Sequence, residues 1–355
     1  IGGTRVLFQQ IILHMVNRLN EERTISAPYH LIKGKRSGQT IQDVKSYHLT
    51  KYFALFPRLT KQSYDQIIQQ MIESGWLRVN ELSIPQITEL GEKVLNQMPK
   101  FHLNGWLYRG NERIFFQRLS LVTQTLSHVK ANDLAFIPIQ KDEKIHKWVR
   151  YFLKKVSYKK EGFIKEFYQE LKTTFQSATL TDLHLTILSH RLSGYQVSGV
   201  TWQQLSYMLE IDQMDLEILF QECLHIVLDE ISLNTKLLLL SKMSEGIKTT
   251  TPLTESAKRT ADLYNQGYSI EQIMSIRQLK KSTIEDHFVE MAMNEPLFSI
   301  HMFFPGEDIQ HIIQQIKNQH TKKLRTLKES FPAYSYFQLR LLLATGGDSI
   351  DQQST

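Results

Sequence analysis

Cysteine and long apolar runs are both scarce in this chain, and their scarcity narrows the classes of protein to consider. The one cysteine among 355 residues, Cys223 in the apolar segment LFQECLHIVL, leaves no internal disulfide and no cysteine-based zinc site, and its setting predicts a small core residue. No apolar run approaches the roughly 20 residues of a transmembrane helix. The N-terminal VLFQQIILHMVNRL is too interrupted by polar residues for a signal-peptide core. We therefore expect a cytoplasmic protein without a membrane partner, whose natural N-terminus stays open because the chain opens on Ile1.

Signatures of catalysis are also missing. The sequence has no Gly-x-x-x-x-Gly-Lys-Ser/Thr phosphate loop, no acidic Mg²⁺ box and no Gly-x-Ser-x-Gly elbow. Its 13 histidines show no metal-ligand spacing on one clear helix. We expect a protein that is not an enzyme and that has no catalytic, cofactor-binding or metal-binding residues.

Positive charge is concentrated in the first half of the chain. Residues 1–176 carry 27 Lys and Arg against 15 Asp and Glu, whereas residues 177–355 carry 15 against 21, for a net charge of +6. If the chain binds nucleic acid, its electrostatic affinity should therefore come mainly from the first half.

Residues 254–298 carry the pattern of a helix-turn-helix. A helix over Thr254–Gln266 ends before Gly267, a residue type that tolerates a left-handed conformation. Two capping boxes follow, Ser269-x-x-Gln and Ser282-x-x-Glu, each predicting the start of a helix. Three helices with a tight turn before the third form the arrangement in which the third helix reads the major groove of DNA.

The predicted third helix has a mixed charge. Its start offers backbone N–H groups and side chains that suit phosphate, and the candidate DNA-binding residues are Lys280, Lys281, Ser282 and Thr283. Carboxylates that repel phosphate follow at Glu285, Asp286 and Glu290. The alternative is a trihelical packing unit whose core is Ile270, Ile273, Ile284 and Phe288.

The first hundred residues predict helices, a hairpin and a closing helix. The spacing of apolar residues predicts helices over Thr4–Leu19, Ser26–Lys33, Gln42–Tyr47, Thr60–Ser74 and Thr88–Met98. It also predicts strands over Trp76–Val79 and Leu82–Gln86, and Lys35–Gln39 form a basic turn. This order describes a winged helix. Lys35, Arg36 and Lys61 are candidate phosphate contacts around its recognition-type helix.

The middle segment, 101–245, is predicted to be helical and carries the densest basic run. Lys147, Arg150 and Lys154 fall on one helical face, and Tyr151 and Trp148 lie among them, as in proteins that bind single strands. The candidate residues here are Lys144, Lys147, Arg150, Lys154 and Lys155, and the run continues through Lys159, Lys160 and Lys165. A solvated helix face explains the same pattern. A second helix-turn-helix between Thr201 and Asp215 has an acidic second helix, which favours packing over DNA contact.

Two segments resemble helicase tails. Gly34-Lys35, Gly75-x-Leu77 and Leu90-Gly91 lie in a stretch, 28–96, that resembles the RecQ C-terminal winged-helix domain. Gly267-Tyr268-Ser269-Ile270, Ser282-Thr283-Ile284 and Phe331–Arg340 resemble the helix-turn-helix domain at the C-terminus of RecQ-type helicases. The arrangement is similar to that of YpbB-like proteins of Gram-positive bacteria, whose genes neighbour a RecQ-type helicase. The resemblance implies an accessory protein whose partner helicase supplies the ATPase.

The sequence thus predicts a mostly α, multi-domain helical protein with an N-terminal winged helix, which contains a short β-hairpin, and a C-terminal helix-turn-helix domain. The predicted parts are a winged helix over 1–100, a helical middle over 101–245, a linker over 246–253, the helix-turn-helix domain over 254–345 and a flexible tail over 346–355. The predicted function is non-enzymatic DNA binding with a RecQ-type helicase in DNA repair or recombination, on forked or single-stranded DNA more than on an operator. A transcriptional regulator and a scaffold without DNA binding remain the alternatives.

Overall fold

The computed structural model describes residues 6–249, 253–295 and 297–346. These residues are mostly helical, as predicted, with one two-stranded sheet among them. Residues 250–252 of the predicted linker and 347–355 of the predicted tail lie outside the described residues. None of the helices described is both long and apolar enough to cross a membrane.

The helices and strands are numbered in chain order. The first segment contains α1 (Leu7–Leu19), α2 (Ser26–Lys33), α3 (Gly38–Ser46), α4 (Lys61–Glu73), β1 (Leu77–Val79), β2 (Pro85–Ile87) and α5 (Glu89–Asn96). The middle contains α6 (Gly105–Tyr108), α7 (Glu112–Lys130), α8 (Glu143–Lys155), α9 (Phe163–Ser177), α10 (Asp182–His190), α11 (Trp202–Leu209), α12 (Gln213–Leu233) and α13 (Leu238–Ser244). The last segment contains α14 (Glu255–Asn265), α15 (Ile270–Arg277), α16 (Lys281–Asn294), α17 (Ile309–Lys317), α18 (Leu324–Ser330) and α19 (Tyr336–Thr345).

Contacts group these elements into two compact units. Unit 1 takes the residues of α1 up to Ile11 together with 97–249, and unit 2 takes residues 12–96 together with the C-terminal segment. Unit 2 is therefore built from two stretches of chain that lie far apart in sequence.

The core of unit 1 forms around α12. This helix is buried over most of its length and packs against α7, α9, α10, α11 and α13. Cys223 is completely buried in it, as predicted, and burial raises the pKa of its thiol to about 12. Asp215, near its start, accepts the backbone N–H groups of Leu7 and Phe8, at 3.0 Å each. The sequence predicted an acidic second helix for the helix-turn-helix between Thr201 and Asp215, and this helix is α12. Because α12 lies at the centre of unit 1, it is a packing element and cannot enter a DNA groove.

The core of unit 2 forms around α16. This helix packs against α14, α15 and α19 of its own segment and also against α3 of the first segment. The approach of α3 is close, because a Cβ atom at Gly38 would lie 2.5 Å from Oδ1 of Asp286. Arg340 of α19 pairs with Asp286 at 2.6 Å and donates to Gln42 of α3 at 3.1 Å.

The predicted start of α3 at Gln42 is wrong. Ser37 caps the helix by accepting the backbone N–H of Thr40, so α3 begins at Gly38 and the basic turn shortens to residues 35–37. The signal for this earlier start is Ser37 at the end of the basic turn, and the spacing of apolar residues alone does not reveal it.

The hairpin also differs from its prediction at one strand. β1 and β2 pair antiparallel with Leu77 opposite Ile87 and Val79 opposite Pro85. The side chain of Asn80 accepts the backbone N–H groups of Leu82 and Ile84, each at 3.0 Å, which makes residues 80–84 a turn. The second strand therefore starts at Pro85, not at Leu82, and Leu82 is exposed at the tip.

Candidate nucleic-acid interface

The helix-turn-helix over α14, α15 and α16 has the predicted local geometry at α15. The Ser269 hydroxyl accepts the N–H of Gln272, whose side chain accepts the N–H of Ser269, so this capping box is confirmed. Gln278 then takes a left-handed conformation, and residues 278–280 form the turn before α16. The predicted core residues Ile273, Ile284 and Phe288 are fully buried, while Ile270 is partly buried against them.

The predicted capping box at Ser282 is wrong. Lys280 is the N-cap residue of α16, without a side-chain bond, and the helix starts at Lys281. Leu279 and Ile284 flank this start and pack in the same apolar cluster, which is the spacing of a hydrophobic staple around an N-cap at Lys280. The staple therefore sets the helix start, and Ser282 lies in the first turn. Lys280, Lys281 and Ser282 are exposed there and Thr283 is partly exposed.

Most of α16 beyond this turn is enclosed. His287, Phe288, Val289, Glu290 and Met291 are all buried. Both oxygens of the Glu290 carboxylate bind Thr254, which caps α14, and Asp286 pairs with Arg340. Two of the three carboxylates expected to repel phosphate therefore hold unit 2 together. The first turn is therefore the most exposed part of α16.

A buried polar network holds the three helices together. Arg277 donates to the Thr260 hydroxyl at 2.8 Å, and that hydroxyl lies 2.8 Å from Nδ1 of His287. Burial, aided by the charge of Arg277, lowers the pKa of His287 to about 4. The imidazole is therefore neutral at physiological pH.

In the N-terminal segment the structure brings predicted cations together around His30. Burial lowers the pKa of His30, and the positive charges of Lys35, Lys61 and Lys33 lower it further, in that order. Lys33 donates to the Tyr29 hydroxyl at 3.2 Å, and Lys61 lies over the Tyr29 ring at 5.8 Å.

The cations near His30 differ in how freely they can contact a phosphate. Lys35 and Arg36 are exposed in the turn between α2 and α3. Lys61 is also exposed but pairs with Asp65, one helical turn further along α4. The sequence did not single out His30, although its position one turn before Lys33 on α2 is a readable signal of proximity.

The exposed face of α8 in unit 1 carries the third group of predicted DNA-binding cations, after those at the start of α16 and those around His30. Ile145, Val149, Phe152 and Leu153 face the core, which leaves the opposite side of the helix to the predicted cations. Lys144, Lys147, Arg150, Lys154 and Lys155 are all exposed, and across the described ranges none of them forms an ion pair.

Tyr151 and Trp148 on this helix differ in their exposure to a ligand. Tyr151 is 63% exposed among the lysines, with the Lys155 ammonium 5.7 Å from its ring centre. Trp148 stacks on Phe152 and is covered by the Arg118 guanidinium at 4.3 Å. Tyr151 can therefore stack on a base and Trp148 cannot.

Comparison with known proteins gives two matches. Residues 256–343 match the family described as "Helix-turn-helix domain", which suggests DNA binding. The chain is 30% identical over 343 residues to Protein YpbB of Bacillus subtilis (strain 168), and the match covers 95% of this chain and 96% of the relative. No solved structure matches the chain.

Proposed function

This chain belongs to the YpbB family, and we propose that it is a non-enzymatic DNA-binding accessory protein of a RecQ-type helicase in DNA repair or recombination. Its contribution is to hold DNA in position, and the ATPase resides on the helicase.

The exposed cations of α8 are the main observation that supports DNA binding. Five cations without ion-pair partners in the described chain occupy one helix face with an exposed tyrosine among them. Cations that already pair with carboxylates gain little from phosphate, whereas unpaired cations release counterions when they bind it. Tyr151 adds a surface on which an unpaired base can stack, which favours forked or single-stranded DNA over an uninterrupted duplex.

The enclosure of α16 disfavours a regulator that reads an operator. Specific reading needs several side chains along a helix to reach base edges in the major groove. In α16 most of those positions are buried or engaged with α3, α14 and α19. The first turn, with the exposed Lys280, Lys281 and Ser282 at the N-terminal end of the helix, suits a phosphate contact that carries no sequence information.

The partnership with a RecQ-type helicase is supported by the resemblance of residues 28–96 and 254–345 to helicase tails. In the first segment, the order of α2, α3 and α4, then the hairpin and the closing helix α5, accords with a winged helix. A protein that carries tail modules of this kind without an ATPase site would extend the DNA-contact surface of a helicase that binds it.

The DNA contact is tested by fluorescence anisotropy of a labelled fork at several salt concentrations. Replacing Lys147, Arg150, Lys154 and Lys155 by alanine should weaken binding to all sequences alike. Each lost phosphate contact should lower the slope of log K against log salt by about 0.7 to 0.9. The matched control replaces Lys93, Lys236, Lys258 and Arg259, four exposed cations elsewhere, and removes the same charge. Equal affinity of both variants and the unaltered protein would remove the α8 face from the proposal.

The partnership is tested separately. The full chain and a RecQ-type helicase from the same organism should co-elute in gel filtration without DNA, and the chain should raise the rate of fork unwinding. The α8 variant should still co-elute but should lose the rate effect. If the two proteins neither co-elute nor alter unwinding, the helicase role fails and DNA binding stands alone.

A further inference from the structure

A groove in unit 1 lies beside the proposed DNA face but has a different chemistry. It runs between α7 and α9 and has a volume of about 680 Å³. Its floor is apolar, with Leu126 and Phe167 buried and Val129, Ile164 and Leu171 partly buried. This volume is in the range of sites that hold a ligand or the side chains of a peptide.

The rim of the groove is basic. Lys130 closes α7, and Lys159, Lys160 and Lys165 come from the start of α9 and the segment before it. All four lysines are exposed, and none forms an ion pair within the part of the chain that the structure describes. One carboxylate, Glu161, also lines the groove. The occupant must therefore be anionic at its edges and apolar where it meets the floor.

We propose that this groove binds an acidic peptide segment of a partner protein, which inserts aliphatic or aromatic side chains between α7 and α9 and pairs its Asp and Glu residues with Lys130, Lys159, Lys160 and Lys165. The charge complementarity is direct, because four unpaired lysines surround an apolar floor. An amphipathic segment in a groove between helices is a common mode of peptide recognition.

Nucleic acid fits this groove less well than it fits α8. Bases stack on exposed aromatic faces, but the floor aromatic, Phe167, is only 4% exposed. The remaining floor residues are aliphatic and match side chains, not base planes. A base that stacked on Tyr168, which is 61% exposed on α9, would leave the apolar floor uncovered, and competition with oligothymidine distinguishes such binding from that of a peptide.

The length of the groove limits the segment that it holds. From Thr123 to Lys130 the floor follows α7 for about 10 Å, at about 1.5 Å per residue. This length accommodates two turns of a helical peptide, or about three residues of an extended one. Two or three apolar anchors among several acidic residues are therefore enough to fill the site.

The inference does not depend on DNA binding by α8, and the experiment separates the two. The full-length protein is titrated against a short fluorescein-labelled peptide that carries two leucines and a phenylalanine among aspartates. We expect saturable binding, at least tenfold weaker after Ile164→Asp, which places a charge on the floor. A variant with Lys159, Lys160 and Lys165 replaced by alanine should weaken binding similarly. A control with Lys93, Lys236 and Lys258 replaced should bind like the unaltered protein.

Three outcomes would overturn the proposal. The first is equal binding of a peptide with the same charges whose apolar residues are serines, because the floor then contributes nothing. The second is equal affinity of the lysine variant and its control, or no saturable binding. The third is displacement of the peptide by oligothymidine together with loss of oligothymidine binding in the lysine variant, which would assign the groove to DNA. Circular dichroism melts check that the variants fold. If Ile164→Asp does not fold, the lysine variant still tests the proposal, because it is altered only at exposed positions.

Discussion

At the scale of single residues, the carboxylates of α16 show how an expected repulsion becomes a structural bond. Glu290 is buried and accepts hydrogen bonds from the backbone N–H and the hydroxyl of Thr254, the residue that caps α14. Asp286 lies against Gly38 and pairs with Arg340. Counting charges along the helix therefore overestimates the negative charge that α16 would present to DNA.

His287 gives unit 2 a dependence on pH that can be measured. Its pKa in the folded protein is about 4, against 6.5 for an ordinary histidine. Between these values the unfolded chain binds a proton that the folded chain does not, so the free energy of unfolding falls as the pH falls, by at most about 1.4 kcal/mol per pH unit. We expect His287→Gln to flatten this slope between about pH 5 and 6.5.

The measurement follows urea unfolding by ¹⁹F NMR of protein labelled with fluorotryptophan. Trp76 reports on unit 2, whereas Trp106, Trp148 and Trp202 report on unit 1. His14, whose pKa is also lowered to about 4 by burial, keeps a residual slope in the variant. His311→Gln, the same substitution at an exposed histidine, serves as the matched control. The same slope in all three proteins would contradict the expectation.

At the scale of elements, the two serines of the helix-turn-helix should respond differently to the same substitution. Ser269 caps α15, so Ser269→Ala should cost about 1 kcal/mol. Ser282 lies inside the first turn of α16 without a capping bond, so Ser282→Ala should change stability by less than about 0.5 kcal/mol. Hydrogen exchange of the α14 to α16 amides measures both, and an equal cost for the two serines would place the helix start at Ser282 after all.

The sequence predicted these elements well where a period and a cap agreed. The apolar spacing over Thr60–Ser74 locates α4, and Thr201, where the second helix-turn-helix was predicted to begin, is the N-cap of α11. The predicted boundaries were wrong where a local sequence signal had two interpretations. Ser282-x-x-Glu has the form of a cap, but the Leu279 and Ile284 pair that decides the start is revealed only when both enter one core. Likewise, the bonds of Asn80 across its turn shift β2 by three residues.

The candidate site was predictable in its charges but not in their availability. The exposed face of α8 follows from the spacing of its apolar residues. The pairing of Lys61 with Asp65 is local and readable, whereas that of Asp286 with Arg340 joins residues far apart in the chain. Contacts of that range depend on packing between elements, which a single sequence does not encode in any local pattern.

At the scale of the molecule, unit 2 needs both of its chain segments. α3 buries Thr40, Ile41 and Val44 and packs on α16 and α19. A fragment that ends at residue 249 should therefore exchange the amides of α3 faster than the full chain does, because that cover is removed. Amides of α12, whose contacts lie in unit 1, should keep their protection and serve as the internal control. Unchanged protection of α3 in the fragment would show that the first segment folds alone.

The split origin of unit 2 also orders events during synthesis. Ribosomes extend a chain by about 5 to 20 residues per second, so α16 and α19 emerge roughly 12 to 60 s after α3 has left the exit tunnel. Unit 1 is complete in that interval, while the buried side of α3 waits for a surface that has not been translated. A nascent chain of this kind is a substrate for chaperones that shield apolar segments, and pausing downstream of unit 1 would lengthen its exposure.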